Sequence, residues 1–437
     1  MSRMANGTMN ARARRVASQP LALWIAFLAV HLVLGWLSLN ADGMGDVDLV
    51  YKPWAELAAQ GTSIVGVQTD WVYPFAALVP VMLPLLLGAA NYTGGWLTMI
   101  LLVNAGAFAV LIGGREPRRL LAAWWWLVFL LLLGPVGIAR LDAVSVALAI
   151  VGLLWLNLHE TAAVATLTVA TWIKVWPAAL IASALIALRS RVHILVAALV
   201  TSAIIVAVPL IFGAGMHVLS FITMQTGRGL QIESPVSTIW MWRVAAHDPF
   251  TFIYYDRGIL TFQVAGPGTG TASSLMNPLL GAAVIAVLLI GIRAVRRGVP
   301  VTRILPELSL GLVAAFIAFN KVGSPQYVAW LAAPVILGLV YQGRGFRRPA
   351  LLVAVTAGLT QLFYPYLYDH LLLAEPDMVL VLSLRNLLYF VLLGWAVAAL
   401  WRGPRGVEGT GDRFPLSVWP FRAERLQERP VVARLER

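Results

Sequence analysis

The chain has 437 residues, of which 60% are hydrophobic and only 12% charged, with mean hydropathy +0.81 and net charge +12. A soluble protein of this length carries roughly twice that charged fraction, so the composition excludes a soluble fold. With no cysteine, disulfides, thiolate metal sites and cysteine nucleophiles are excluded as well.

In chain order, a tail over 1–19 precedes apolar stretches from Pro20 to Trp401. The expected spans are 20–40, 73–90, 94–113, 119–138, 142–158, 161–188, 192–213, 276–294, 304–320, 326–342, 348–367 and 377–401. This predicts an all-α polytopic membrane protein of about 12 transmembrane helices, with 20–401 as one domain and 402–437 as a second tail. The first stretch lacks a small-residue cleavage site and reads as a retained anchor.

Basic residues set the orientation. Arg12, Arg14, Arg15, Arg189, Arg191, Arg293, Arg296, Arg297, Arg303, Arg344, Arg347 and Arg348 share one side, which positive charge marks as cytoplasmic. The opposite side then holds the loop 41–72 and the long loop 214–275. Arg115, Arg118 and Arg119 disagree, falling outside. Making 73–90 a non-crossing segment would bring them in, but 161–188 would then have to break near Lys174 into two stubs too short to span, so the twelve straight spans are retained.

Loop 41–72 concentrates acid: Asp42, Asp46, Asp48, Glu56 and Asp70 fall within it, out of 20 acidic residues in the chain. Charge at a membrane surface is costly enough to ask for a reason. Pro53 suits a helix start and Gly61 its end, with Trp54, Leu57 and Ala58 on one face, which predicts an interfacial helix with that face in the lipid. Farther on, the stretch 266–274 reads as flexible.

Arginine is the default cation here, so the three lysines stand out. Lys52 and Lys321 suit either snorkelling at the interface or an anionic substrate. Lys174, between Trp172 and Trp176 inside a span, is a functional candidate. Arg140 and Asp142 either neutralise one another or contact substrate. In QTGRGLQIESP, Arg228, Gln231 and Glu233 offer polar contacts, with Gly229 permitting a tight turn that aims Arg228 at an anion; ordinary loop polarity is the alternative. Gly323 and Pro325 interrupt the apolar pattern beside Gln326 and Tyr327, as a cavity wall would. No metal-ligand spacing, serine-hydrolase, P-loop or dinucleotide fingerprint is present, and no nucleic-acid partner is expected.

These motifs in this order resemble the membrane glycosyltransferases of the GT-C class, in particular glycosyltransferase family 87. The acidic loop runs into Tyr51 and Trp54, followed by Tyr73-Pro74, the Arg140/Asp142 pair, Ile173 to Pro177, and Ser324 to Tyr327 with Trp330. The resemblance implies a GT-C fold with extracytoplasmic catalytic loops in the cell membrane. It also implies inverting transfer of a sugar, mannose foremost, from a polyprenyl-phosphate carrier to a lipid or lipoglycan acceptor.

A loop aspartate would be the general base, Asp46 or Asp48. Tyr51, Lys52, Arg140, Asp142, Lys174, Arg228, Gln231, Glu233, Lys321, Gln326 and Tyr327 would bind substrate. No metal or other cofactor is expected, since the donor already carries a phosphate leaving group and cations can stabilise it. The competing reading is a transporter for a lipid-linked sugar, against which stands the absence of internal repeats.

Overall fold

A computed structural model describes residues 19–40, 43–114, 116–224 and 228–403. Arg12, Arg14, Arg15, Asp42, Arg115 and the tail from 404 onward lie outside the described residues. Among the described residues, seven helices are long and apolar enough to cross a membrane, and shorter apolar helices accompany them.

Helix α1 (Pro20–Asn40) leads into a π-helical turn, Val47–Tyr51, continued by α2 (Lys52–Ala59) with Pro53 in its first turn. Pro53 loses nothing there, because its missing N–H would have had no helical partner. The predicted face divides: Leu57 is exposed, while Trp54 turns inward against Trp71 and Tyr73.

The next segment is not a span. It is a chain of short helical pieces, Phe75–Ala77, Leu78–Met82, Leu83–Leu87 and Ala89–Asn91, interrupted by Pro80, Pro84 and Gly88. Proline removes a helical donor and crowds the preceding turn, so no straight helix forms.

Then follow α3 (Tyr92–Ile112), α4 (Pro117–Leu133), α5 (Leu141–Trp155), α6 (Glu160–Ile173), α7 (Ala178–Ala187) and α8 (Arg191–Ile211). The single span expected over 161–188 is therefore two helices. They part at Lys174, whose backbone is extended (φ −145°, ψ 132°), and the second begins after Pro177.

Both breaks remove the conflict over Arg118 and Arg119. Arg118 Nη1 donates to the Tyr341 carbonyl at 2.8 Å, and Asn157 Nδ2 donates to the Tyr341 hydroxyl at 2.7 Å. Thr161 meets His193 at 2.7 Å. The turns after α3, α5 and α7 thus share one end with Arg344, Arg347 and Arg348. Segment 73–90 drops out as a crossing, while α6 and α7 run toward the opposite end and back. At 1.5 Å per residue α6 extends only about 21 Å. Its tip is buried in protein, where a broken helix is tolerated.

The long loop carries a small antiparallel sheet, β1 (Leu230–Gln231), β2 (Phe252–Asp256) and β3 (Thr261–Ala265), ordered β1-β3-β2, with α9 (Thr238–Ala245) between β1 and β2. Helix α10 (Thr269–Arg296) begins inside the stretch expected to be flexible. Among the described long apolar helices α11 (Val301–Ala318) is the most enclosed, 78% of its apolar window being buried, against 11% for α8. Helices α12 (Ala332–Gln342), α13 (Arg347–Phe363) and α14 (Pro376–Trp401) complete the bundle.

Candidate active site

At the end away from the arginine-rich turns, the first loop, the sheet and the breaks in the helices enclose a cavity of about 400 Å³. Asp46, just before the π-helical turn, lines it. Its Oδ2 lies 3.0 Å from Arg140 Nε, and its side chain keeps 38% of its surface open, against 5% for Arg140.

The rest of the Arg140 fork is tied down. Nη1 donates to the carbonyls of Gly43 (3.1 Å) and Ala139 (2.8 Å), and Nη2 donates to the Tyr364 hydroxyl at 2.6 Å. Burial alone would loosen the guanidinium's proton, but Asp46, with Tyr364 and Tyr51 behind it, more than reverses that and raises its pKa.

Asp48 points elsewhere. It is exposed, accepts a short hydrogen bond from Thr93 Oγ1, and does not line the cavity. Residues two apart on a helix face different ways, so only one of the two aspartates can serve this cavity.

Lys174 enters from the α6–α7 break. Its Nζ lies 3.3 Å from Asp142 Oδ2 and 4.8 Å from the Tyr73 ring centre, with Tyr327 on another side at 5.8 Å. Asp142 is buried, and Trp330 Nε1 donates to its Oδ1 at 2.7 Å. Trp330 stacks on Tyr327 at 4.0 Å and on Trp176 at 5.6 Å. The two pairs therefore cross over: Arg140 serves Asp46 rather than Asp142, and Lys174 takes Asp142.

Arg228, Gln231 and Glu233 line the opposite wall around β1, and Gln326 and Tyr327 line it from the irregular segment after α11. Gly229 has no positive φ. A Cβ there would come 2.9 Å from Gln263 Oε1, the end of a side chain that can shift, so neither the backbone nor the space demands glycine.

Lys321 is buried behind this wall and does not line the cavity. Its pKa is lowered by burial and by the charge of Arg228, and its carbonyl accepts from the Gln231 N–H at 3.1 Å. Lys52 also stands apart, 4.0 Å from Glu56 on α2. Tyr51 is buried against Trp96 and Trp54 beneath the site, and burial raises its pKa well above the ordinary value.

Four residues of the candidate site go unmarked in the sequence: Tyr364, Tyr368, Arg385 and His217, the partner of Asp70. Tyr364 and Tyr368 line the cavity from the loop after α13. Arg385 of α14 is wholly buried, and donates to the carbonyls of Glu233 (3.1 Å) and Gly323 (3.2 Å). An arginine inside an apolar span was the available signal for it. Asp70 and His217, paired at 2.6 Å, tie the first loop to the turn after α8 at the rim. No group of three or more His, Asp or Glu among the described residues is placed to hold a metal ion.

No protein-family model matches the chain, and no curated protein matches it. The crystal structure of ArnT from Cupriavidus metallidurans in the apo state is similar at a TM-score of 0.42 and 13% identity, covering 88% of this chain and 78% of that one.

Proposed function

We propose that the chain is a membrane glycosyltransferase of the GT-C class, similar to family 87. It would move a sugar, most simply mannose, from a polyprenyl-phosphate carrier to a lipid or lipoglycan acceptor at the extracytoplasmic face. The observation that carries this reading is one cavity holding an accessible carboxylate, Asp46, together with Lys174 and Arg228.

The geometry supplies what such a transfer needs. The acceptor oxygen attacks the anomeric carbon as its proton passes to Asp46. The bond from that carbon to the carrier phosphate breaks, and its electron pair leaves on the phosphate oxygen. Arg228 and Lys174 stabilise the charge arriving there. Attack opposite the leaving phosphate inverts the anomeric centre, giving an α product from a β-linked donor.

Arg140 acts as a positioning group. Held by two carbonyls and Tyr364, it fixes the rotamer of Asp46, and the carboxylate's open surface is left for the acceptor hydroxyl. The aromatic walls, Trp54, Trp71, Tyr73 and Tyr327, suit a sugar ring and the start of a prenyl chain. The arginine-rich turns at the other end of the bundle support an extracytoplasmic cavity.

The test is transfer by the purified protein in liposomes, with radiolabelled polyprenyl-phosphate mannose and phosphatidylinositol mannosides as acceptors. Labelled glycolipid with an inverted linkage is expected. Movement of the donor between leaflets with no transfer from any polyprenyl-phosphate sugar would instead make the protein a transporter.

A further inference from the structure

Glu233 has a function that positioning of a base and a phosphate does not use. It is 1% exposed yet lines the cavity. Its Oε1 accepts from the Tyr368 hydroxyl at 2.5 Å, while Oε2 has no hydrogen-bond partner among the described residues. Gln231 and the residue's own N–H lie near enough to favour its charge, but neither completes a bond to Oε2. A buried carboxylate oxygen without a donor is costly, and native proteins keep few of them.

The seat of this carboxyl is built with care. Arg385 clamps the Glu233 carbonyl and the Gly323 carbonyl together. Gly323 packs so closely that a Cβ would fall 2.2 Å from the Ser234 nitrogen and 2.4 Å from the Glu233 carbonyl carbon. Those are backbone atoms with no room to yield, so the wall cannot relax around the carboxyl. A side chain held from both ends with one oxygen left over suits recognition of a ligand hydroxyl, with the angle fixed before binding.

We propose that Glu233 Oε2 accepts a hydrogen bond from a ring hydroxyl of the donor sugar and so selects which sugar is transferred. This rests on the glycosyltransferase reading above. Arg228 and Glu233 flank the same short strand, β1, so the group that receives the phosphate and the group that reads the sugar share one wall. Asp46 stands on another segment, where the acceptor enters. Burial holds the Glu233 carboxyl above its ordinary range, against the pull of Tyr368 and Arg385. A site built to bond a hydroxyl rejects the analogue that lacks it, because its own polar atom is then stranded.

The experiment measures kcat/KM for polyprenyl-phosphate mannose and for analogues each lacking one ring hydroxyl, in wild type, Glu233→Ala, Glu233→Gln and Tyr368→Phe. Wild type is expected to reject one analogue by about 100-fold or more. Glu233→Ala should lower transfer of the full donor by a similar factor and leave that analogue within about threefold, so that discrimination collapses. The acceptor KM should not move. Tyr368→Phe, which leaves the carboxyl in place but less firmly held, should erode the same discrimination partway. Glu233→Gln and Tyr368→Phe carry the comparison if the alanine variant does not fold. Equal losses on every donor, or an unchanged preference, overturn the inference while the transferase reading stands. No transfer by wild type from any donor overturns both.

Discussion

Arg140 Nε lies 3.0 Å from Asp46 Oδ2, joining a loop residue to the residue that opens α5. The pair holds the carboxylate still without covering it, because Nη1 and Nη2 of the guanidinium are engaged by two carbonyls and Tyr364. Lysine has no planar fork to reproduce these contacts. Arg140→Lys should therefore lower kcat by about 10-fold or more while the donor KM changes little, since a misplaced base costs rate rather than binding. Steady-state transfer assays over a range of donor concentration separate the two.

Lys174 and Asp142 form the second, more deeply placed pair, 12% and 2% exposed. Removing one partner from such a pair leaves a buried charge, and that costs about 3–5 kcal/mol. Lys174→Met should lower the melting temperature in detergent sharply, and adding Asp142→Asn should recover part of the loss. A single variant as stable as wild type would show that the pair is not closed in the membrane.

Glu233 makes stability depend on pH with a definite sign. Burial raises its pKa above the ordinary 4.5, against the opposing pull of Tyr368 and Arg385. Below 4.5 the carboxyl is protonated in folded and unfolded chains alike, and its contribution is fully present. As pH rises past that value the unfolded chain ionises first, so the contribution falls away through the raised folded pKa. Wild type should lose melting temperature across this window relative to Glu233→Gln, and parallel curves for the two proteins would contradict the assignment.

The topology is directly testable because the chain has no cysteine. Single cysteines replacing Glu116 and Arg344 should react with an impermeant maleimide from the same side of the membrane, and one replacing Thr62 from the other. Labelling of Glu116→Cys together with Thr62→Cys would restore the twelve straight spans.

Much of the site was legible because charge is rare in this chain. Asp46, Arg140, Lys174, Arg228, Gln231, Glu233, Gln326 and Tyr327 all reach one cavity, although no stretch of sequence places them together. Sequence could not choose between Asp46 and Asp48, since the choice is a helical phase set by how the π-helical turn packs on α3. Lys52 and Lys321 carried the same rarity as Lys174 but fall outside the cavity walls.

The broken spans are hard to see in sequence for a related reason. Hydropathy averages over Pro80, Pro84 and the Lys174–Pro177 break, while the three arginines at 115–119 registered the change of direction. Arg385 lies in surroundings that read as an ordinary span; besides the neighbouring Asn386 side chain, its partners are the distant Glu233 and Gly323 carbonyls, which no stretch of sequence brings to it.

In the proposed transfer Asp46 takes the acceptor's proton. The most direct test of this is single-turnover transfer from polyprenyl-phosphate mannose by wild type, Asp46→Asn and Asp48→Asn in liposomes, with donor binding measured separately. Asp46→Asn should bind donor as wild type does and transfer at least about 100-fold more slowly, while Asp48→Asn stays within a few-fold. Transfer by Asp46→Asn at the wild-type rate would contradict the account.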